Sequence, residues 1–325
     1  MKDVGLVGVP FSGKSTLFTA LTRAGAAGGQ ANVAVVQVPD PRLDVLTEME
    51  RSKKTVAAQV RFVDVPGGLS STQGVAKLRE VDALALVIRC FGTDASPAAE
   101  LADVRSELLL ADLQVVDSAL QKATKRGKGK TTAEMVPLQK AHDALSAETP
   151  LRSASLDPAD VVELRGIAPL TLKPEVVIAN LEEGREVPAE LGPGAAGVYA
   201  SIEAETAEME PEEARALLEE FGVTEPGLET VIAACYSAID LITFLTTGED
   251  ETRAWEVRRG AKAPEASGVI HTDLERGFIR AEVIGYDELV AQGSMETAKA
   301  HGKIRVEGKD YVVAEGDILH VRFAV

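Results

Sequence analysis

Eight residues near the start of the chain form a phosphate-binding motif. Residues 8–15 read Gly-Val-Pro-Phe-Ser-Gly-Lys-Ser and match the pattern G-x-x-x-x-G-K-[ST] in full. In such a loop the backbone N–H groups surround nucleotide phosphates, and the following helix adds the positive end of its dipole. We predict that Lys14 contacts the β- and γ-phosphates and that the Ser15 hydroxyl binds Mg²⁺. The other candidate nucleotide-binding residues of this segment are Gly8, Phe11, Ser12, Gly13 and Thr16.

A second candidate motif, Asp-Val-Pro-Gly, occupies residues 64–67 at the end of an apolar, β-branched segment. In P-loop hydrolases an aspartate at this place holds Mg²⁺ directly or through water, and the glycine N–H approaches the γ-phosphate. We therefore predict that Asp64 is a metal ligand and that Gly67 acts with Lys14 in catalysis. A D-x-x-G pattern by itself is often only a turn, so its weight comes from its position after a strand and a P-loop.

Residues 180–183, Asn-Leu-Glu-Glu, stand where a base-recognition loop belongs. GTP-specific proteins carry Asn-Lys-x-Asp there, and the aspartate accepts two N–H bonds from guanine. This chain lacks both the lysine and the aspartate, and Glu183 is one methylene longer. We predict that Asn180 and Glu183 lie near the base, flanked by Ser201, and that ATP binds at least as well as GTP.

Strand-like apolar segments separated by helical patterns must position these motifs. The expected strands are residues 4–7, 33–38, 60–65, 83–89, 175–180 and 197–202. Strands that alternate with helices indicate a parallel sheet with crossover helices. The sequence therefore predicts an α/β fold of the P-loop NTPase class, with a helix over residues 16–24 after the phosphate-binding loop.

A helical hairpin is predicted at about residues 97–150, inserted into the nucleotide-binding domain. Apolar residues there recur at the spacing of one helical face, first over 109–120 and again over 135–145. The break between them cannot be a good helix interior and is basic; its cations are Lys122, Lys125, Arg126, Lys128 and Lys130. This tip is either a solvated turn or a contact for RNA or another phosphate.

The pattern changes again toward the C-terminus. Residues 203–245 are helical in pattern, whereas short strands are expected after the acidic residues 249–251. These strands are predicted at 255–257, 278–283, 303–306, 311–313 and 318–323. We accordingly predict a P-loop domain over residues 1–251 and a separate domain over 252–325.

Charge is distributed unevenly between these two parts. The 325-residue chain has a formal net charge of −17. Residues 252–325 contain 11 Lys+Arg and 12 Asp+Glu, so nearly all of the net negative charge lies on residues 1–251. This balance argues against a protein that coats nucleic acid with its whole surface, and it directs any polyanion to the C-terminal part or to a local basic tip.

Several features predict a cytoplasmic protein. The phosphate-binding motif begins at Gly8, which leaves no room for a signal peptide. The most apolar stretch, residues 231–244, is too short to span a bilayer and is interrupted by Asp240, so no membrane association is expected. Cys90 and Cys235 each lie in an apolar run and are expected to be buried thiols. We also expect a monomer.

Many segments resemble the Obg-like ATPases, the YchF family of P-loop proteins related to translation factors. Besides the P-loop they are residues 39–43, 89–91, 172–174 and 202–205. Residues 253–255, 268–273, 275–283 and 307–311 resemble the terminal TGS domain of that family. The resemblance implies an ATP-preferring, Mg²⁺-dependent hydrolase with a helical insertion, a C-terminal β-grasp (TGS-like) domain, and association with the ribosome or ribosomal RNA.

Departures from the family pattern concern hydrolysis. The family has a threonine in the loop before residues 39–41, but residues 24–41 contain no Ser or Thr. Gly68 and Leu69, which follow the D-x-x-G glycine, offer no side chain to orient water, and residues 68–77 are shortened. The alternative is that Ser70, Ser71, Thr72 or Gln73 orients the water when a partner orders the loop. Residues 92–95 lack the family's histidine. The chain is thus either a slow hydrolase or a nucleotide-sensing binding module with vestigial hydrolysis; for a third alternative, a metabolic kinase, no acceptor motif is found.

Overall fold

A computed structural model describes residues 1–24, 32–65, 67–127, 133–207, 209–223 and 227–324. It divides the chain into two compact units. The larger unit comprises residues 2–36 and 61–239, and the smaller unit comprises Met1, residues 37–60 and the chain from Asp240 onward.

The strands, in chain order, are β1 (Lys2–Val7), β2 (Val33–Gln37), β3 (Thr55–Val56), β4 (Gln59–Asp64), β5 (Ala83–Cys90), β6 (Glu175–Leu181), β7 (Ala196–Val198), β8 (Leu241–Thr246), β9 (Thr252–Arg258), β10 (Phe278–Gly285), β11 (Arg305–Glu307) and β12 (Asp317–Phe323). The α-helices are α1 (Lys14–Ala24), α2 (Pro41–Glu50), α3 (Thr72–Glu80), α4 (Pro97–Arg126), α5 (Met135–Ser146), α6 (Pro158–Leu164), α7 (Ala200–Thr206), α8 (Pro211–Glu220), α9 (Gly227–Ala238), α10 (Ala263–Ile270), α11 (Thr272–Arg276), α12 (Tyr286–Gln292) and α13 (Met295–Ala300). No helix in the described part of the chain is both long and apolar enough to cross a membrane.

The larger unit is built on a six-stranded sheet with the order β2-β4-β1-β5-β6-β7. The β1–β5, β5–β6 and β6–β7 pairs are parallel. The central strand β5 is apolar and buried over nearly its whole length, as expected for a parallel strand covered on both faces. The α/β P-loop architecture is therefore confirmed. Because the strands are parallel, the loops after β1, β5 and β6 emerge at one edge of the sheet.

The inserted helical hairpin is also confirmed. Helix α4 begins with Pro97 in its first turn, where a missing N–H does no harm, and it packs against α5. Their shared core contains Val116, Ala141 and Leu145. Of the basic tip, Lys122, Lys125 and Arg126 lie at the end of α4, whereas Lys128 and Lys130 lie outside the described residues.

The smaller unit contains a second six-stranded sheet with the order β11-β10-β12-β8-β9-β3. Its core, which includes Phe244, Val257 and Ala281, also contains residues of α10. Residues 37–60, far away in sequence, contribute to this unit: β3 pairs with β9, and Arg42 in α2 lies 2.7 Å from a carboxylate oxygen of Glu315.

The boundary that we predicted between residues 251 and 252 falls inside this smaller unit. Strand β8 pairs with β9 in antiparallel register, so the acidic residues 249–251 belong to a hairpin turn and not to a linker. The helical pattern predicted through residue 245 is wrong after α9, which ends at Ala238. Asp240 adopts a positive φ of 58°, and the apolar residues that follow form β8. A continuous apolar run cannot by itself distinguish a buried helix from a buried strand.

Two smaller predictions are also wrong. Strand β7 ends at Val198, and Ala200 begins helix α7, so residues 200–202 are helical and not extended. Residues 311–313 make only an isolated bridge, between Val312 and Lys262, and do not form a strand.

Candidate functional site

The phosphate-binding loop joins β1 to α1, and close packing fixes its two glycines. A Cβ on Gly8 would lie 2.4 Å from the Val87 carbonyl oxygen, and one on Gly13 would lie 2.0 Å from Nδ2 of Asn180. Gly13 also has a φ of +89°, a conformation that glycine adopts without a steric penalty. Phe11 likewise has a positive φ, of 66°, and its side chain is 90% exposed. Larger residues at positions 8 and 13 would therefore clash with the neighbouring strands, and the loop keeps its tight shape before α1.

The Lys14 ammonium lies at the centre of this loop. Its Nζ donates to the carbonyl oxygens of Gly8 and Val9 at 2.7 and 2.8 Å. Burial lowers the pKa of Lys14, and the charges of Asp64 and Glu107 partly oppose that shift. A partly desolvated ammonium gains strongly from an anionic ligand, so this position suits a phosphate group.

Asp64 ends strand β4 and is half-buried. Burial raises the pKa of its carboxyl group, and the positive charge of Lys14 partly offsets the shift. The structure thus brings together the carboxylate and the ammonium that the two motifs predicted. Ser15 and Thr16 are exposed in the first turn of α1, where a ligand can reach their hydroxyl and backbone groups.

Asn180, near the end of β6, is buried and contacts the phosphate-binding loop. Its Nδ2 donates to the Ser12 carbonyl oxygen at 3.1 Å. The Ser12 side chain is itself fully buried, and its Oγ has no hydrogen-bond partner among the described atoms. The amide of Asn180 therefore holds the P-loop against the end of β6. Its predicted contact with the base stays a prediction.

A cavity of about 480 Å³ extends from the phosphate-binding loop to the predicted base-recognition residues. It is lined by Gly13, Thr16, Phe91, Asn180, Leu181, Glu182, Glu183, Tyr199, Ser201, Ile202, Glu205 and Phe221. Aromatic and aliphatic side chains form its apolar walls, and a few polar groups converge on it, as is usual in small-molecule sites. The structure therefore brings Asn180, Glu183 and Ser201 together with Gly13 and Thr16 of the P-loop segment.

Glu203 is a functional candidate that sequence reasoning missed. It is buried, and its carboxylate accepts hydrogen bonds from the backbone N–H groups of Tyr199, Gly227 and Leu228 at 2.9, 3.0 and 2.7 Å. Burial raises its pKa, while these hydrogen bonds act in the opposite direction. Glu203 thus joins the loop that carries Tyr199 to the start of α9. No local signal singles Glu203 out, because α7 also contains Ser201, Glu205 and Thr206.

Phe221, after α8, is a second cavity residue that the sequence analysis did not single out. It packs with Tyr199 against the small cluster of Ile202, Leu218 and Val223. Through this contact the residue after α8 forms part of the aromatic wall of the cavity. No local sequence motif indicates that role.

The residues after Gly67 form a tight turn packed against α3. Gly68 N donates to the Val65 carbonyl oxygen, and a Cβ on Gly74 would lie only 2.1 Å from the Gly68 carbonyl oxygen. Leu69 packs against the main core of the larger unit. Ser71 caps α3 by accepting a hydrogen bond from Gly74 N at 3.0 Å. The remaining polar side chains of the turn, Ser70, Thr72 and Gln73, are exposed.

The threonine of the family is absent from the loop before β2. Residues 25–31 lie outside the described residues, so that departure is known from the sequence alone.

Comparison with known proteins finds related chains that match this one over nearly its whole length. A model of 50S ribosome-binding GTPases matches residues 3–122, and the model of the YchF GTPase C-terminal domain, described as a protein of unknown function, matches residues 241–324. The ribosome-binding ATPase YchF of Bacillus subtilis is 40% identical over 361 aligned residues, and that of Haemophilus influenzae is 39% identical over 358, each covering 99% of both chains. The Schizosaccharomyces pombe YchF GTPase structure superposes with a TM-score of 0.87 at 29% identity, covering 99% of this chain and 97% of that one.

Proposed function

This chain belongs to the YchF family, and we propose that it binds ATP in the cavity beside Lys14, hydrolyses it slowly, and associates with the ribosome in the cytoplasm. One observation carries the proposal: a phosphate-binding loop closed around Lys14 opens into a cavity with aromatic walls. The phosphates of a nucleotide need a cation and backbone N–H groups, and its base needs an adjacent apolar surface. Relatives of about 40% identity are named ribosome-binding ATPases.

Mg²⁺ is the expected metal ion, and the residues present suit it. Ser15 offers an exposed hydroxyl oxygen and Asp64 a half-buried carboxylate, and Mg²⁺ prefers oxygen ligands of this kind. When bound, Mg²⁺ neutralises charge on the phosphate oxygens. The chain's own contribution is the P-loop backbone and the Lys14 ammonium, which hold the phosphates, and Gly67, whose N–H we assign to the γ-phosphate.

We propose that Glu183 and Ser201 contribute to base binding and that ATP binds at least as well as GTP. No aspartate stands at residue 183 to accept two guanine N–H bonds, and the neighbouring carboxylate of Glu182 already accepts a bond from Gly92 N at 2.9 Å. Competition between ATP and GTP for the purified protein, with Mg²⁺ present, tests this assignment. Equal or tighter ATP binding is expected, and a large advantage for GTP contradicts it.

Ribosome association is tested by co-sedimentation of the full-length chain. We expect the protein to pellet with ribosomes at moderate salt and to remain in the supernatant without them. A protein that binds ATP but does not pellet under any nucleotide condition would refute the ribosomal part of the proposal while leaving the nucleotide site intact.

A second candidate function is a nucleotide sensor in which hydrolysis is vestigial. The turn after Gly67 favours it, because Leu69 is packed in the core and Ser71 is used as a helix cap. Measuring turnover with and without ribosomes separates the two: a hydrolase is stimulated by its partner, whereas a sensor stays inactive and changes only its affinity.

A further inference from the structure

The loops after β5 and β6 leave the sheet side by side, and each supplies part of the cavity beside the phosphate-binding loop. The two strands are parallel, with Cys90 as the register partner of Leu181. The first loop contributes Phe91 to the cavity, and the second contributes Glu183. The position of one loop relative to the other therefore sets the width of the cavity at this end.

The loop after β6 makes a tight turn over residues 182–185. Arg185 N donates to the Glu182 carbonyl oxygen at 3.2 Å, and Gly184, the third residue of the turn, has a φ of +72°. A positive φ at this place is typical of a type II turn and favours glycine. Glu183 thus occupies the second position of the turn, and the residues at the two ends of the turn fix how its side chain is presented.

Arg185 joins this turn to the loop after β5. Its Nη1 and Nη2 donate to the carbonyl oxygens of Cys90 and Gly92 at 3.4 and 3.0 Å. Glu182 adds a bond in the other direction, since its Oε2 accepts from Gly92 N at 2.9 Å, and its Oε1 lies 2.5 Å from Arg185 Nη2. Because Cys90 and Gly92 flank Phe91, these contacts hold the backbone on both sides of that aromatic residue.

The same arginine is bonded to a second aromatic residue of the cavity. The Tyr199 hydroxyl donates to the Arg185 carbonyl oxygen at 2.9 Å, and Tyr199 lines the cavity, whereas Arg185 lies outside its lining. The Arg185 side chain is 42% exposed, and an ion pair with that exposure contributes little by itself. Its bonds to two other segments of the backbone matter more, because they restrict how far those segments can move apart.

We infer that Arg185, supported by Glu182, is a positioning residue for nucleotide binding. By holding the two aromatic residues and the turn of Glu183 at fixed distances, it determines how well the cavity accepts the base. The inference rests on the nucleotide function proposed above and assigns a role to residues that act without touching the phosphates. None of the bonds just described involves the phosphate-binding loop, so the effect should be confined to the part of the ligand beyond the phosphates.

The test titrates the full-length protein with ATP and, separately, with inorganic tripolyphosphate, both in the presence of Mg²⁺. Arg185→Ala should raise the Kd for ATP about five- to tenfold, which is the size of one net hydrogen bond. The Kd for tripolyphosphate, which has no base, should stay within about twofold of the wild-type value. Arg185→Lys keeps the charge but not the planar group that reaches two carbonyl oxygens, so its Kd for ATP should lie between the two.

A double-mutant cycle tests the link to Tyr199. Tyr199→Phe keeps the aromatic ring and removes the hydroxyl donor. If both residues act through the same turn, the double variant should lose less ATP affinity than the product of the two single losses. Arg165→Ala is the matched control: Arg165 is an exposed arginine of the same unit, lies outside the cavity lining, and its loss changes the charge equally. Circular dichroism of each variant checks that the fold is retained.

Several results would overturn the inference. Unchanged ATP affinity in Arg185→Ala would show that the cavity keeps its shape without the arginine, and an equal loss in Arg165→Ala would mean that only net charge matters. Equal losses of affinity for ATP and tripolyphosphate would mean that the substitution disturbs the whole site and not its base end. A wild-type protein that does not bind ATP would instead refute the proposed nucleotide function, so the two failures can be distinguished.

Discussion

The phosphate-binding loop and the turn after Gly67 differ in the contacts that their side chains make. In the loop, Lys14 is held in place by two carbonyl oxygens and Asn180 holds the backbone of Ser12. In the turn, Leu69 is packed in the core and the Ser71 hydroxyl is used to cap α3. The loop has the arrangement that we propose for phosphate binding. The turn uses Leu69 and Ser71 for its own packing and capping, and leaves Ser70, Thr72 and Gln73 exposed.

This difference predicts that nucleotide affinity and turnover depend on separate residues in this protein. Affinity requires a cradle that already exists before the ligand arrives. Turnover requires a group that orients water against the γ-phosphate, and such a group makes its contribution only in the transition state. Substitutions in the two segments should therefore have separable effects.

The largest effect is expected from Lys14→Ala. Loss of the ammonium that the loop surrounds removes a charge-assisted contact of about 1.5–3 kcal/mol, which corresponds to about a ten- to 100-fold loss of ATP affinity. Isothermal titration calorimetry with Mg²⁺ measures it, and Lys309→Ala, an exposed lysine of the smaller unit, serves as the control. Unchanged ATP affinity in the Lys14 variant would refute the phosphate site.

Glu203→Ala should disturb the cavity lined by Tyr199 and leave the phosphate-binding loop unchanged. Three backbone N–H groups would lose their shared acceptor, at a local cost of about 2 kcal/mol. Hydrogen exchange at Tyr199, Gly227 and Leu228 should accelerate roughly 30-fold, and ATP affinity should fall because Tyr199 lines the cavity.

Glu203→Gln, which keeps one acceptor oxygen, should lie between the wild type and Glu203→Ala. Glu219→Ala, an exposed residue of α8, should leave these amides unaffected. If exchange at the three amides did not change in Glu203→Ala, the carboxylate would not be what joins this loop to α9.

Gly68→Gln tests the turn directly. A Cβ at Gly68 meets no atom within 4 Å, so a side chain fits, although the positive φ of 44° imposes a strain of about 1–2 kcal/mol. A new amide that orients water by one hydrogen bond should raise turnover about fivefold and leave ATP affinity unchanged. Gly68→Ala supplies the same strain without the amide and is the control. Equal turnover in the two variants would show that side chains at this position do not reach the attacking water.

The smallest effect concerns pH. Burial raises the pKa of Asp64, so its protonated form, which cannot bind a metal ion well, appears at higher pH than for a free aspartate. Mg²⁺-dependent ATP affinity should accordingly weaken as the pH falls from neutral toward that raised value. Asp64→Asn should bind ATP weakly at neutral pH and show less pH dependence than the wild type. An identical pH profile in both proteins would remove Asp64 from the metal site.

The parts of the fold that depend on local signals could be predicted from the sequence. The P-loop has its glycines and lysine at fixed spacing, and the helical hairpin has apolar residues at a helical period. The set of segments that make up the smaller unit could not be derived in the same way. Residues 37–60 join the smaller unit through β3 and Arg42, and pairing between segments about 200 residues apart leaves no local pattern.

The cavity beside the phosphate-binding loop shows the same limit. Asn180, Glu183 and Ser201 were predicted from their positions after strands, and the structure places them in one cavity. Glu203 and Phe221 were missed, because their roles come from contacts with α9 and with the cluster around Leu218. A practical consequence is that truncation near Asp250 would separate β8 from its partner β9, so surface substitutions in the full chain are the sounder test of the smaller unit.

Phosphate release by the isolated protein, with saturating ATP and Mg²⁺, is the most direct test of the account. We predict tight binding together with turnover far slower than one per second, rising only when ribosomes are added. Turnover of about one per second or faster without a partner lies in the ordinary range of enzymes. That result would contradict the account. Leu69 and Ser71 are engaged in packing and capping, so an exposed side chain of the turn, Ser70, Thr72 or Gln73, would have to orient water without a partner.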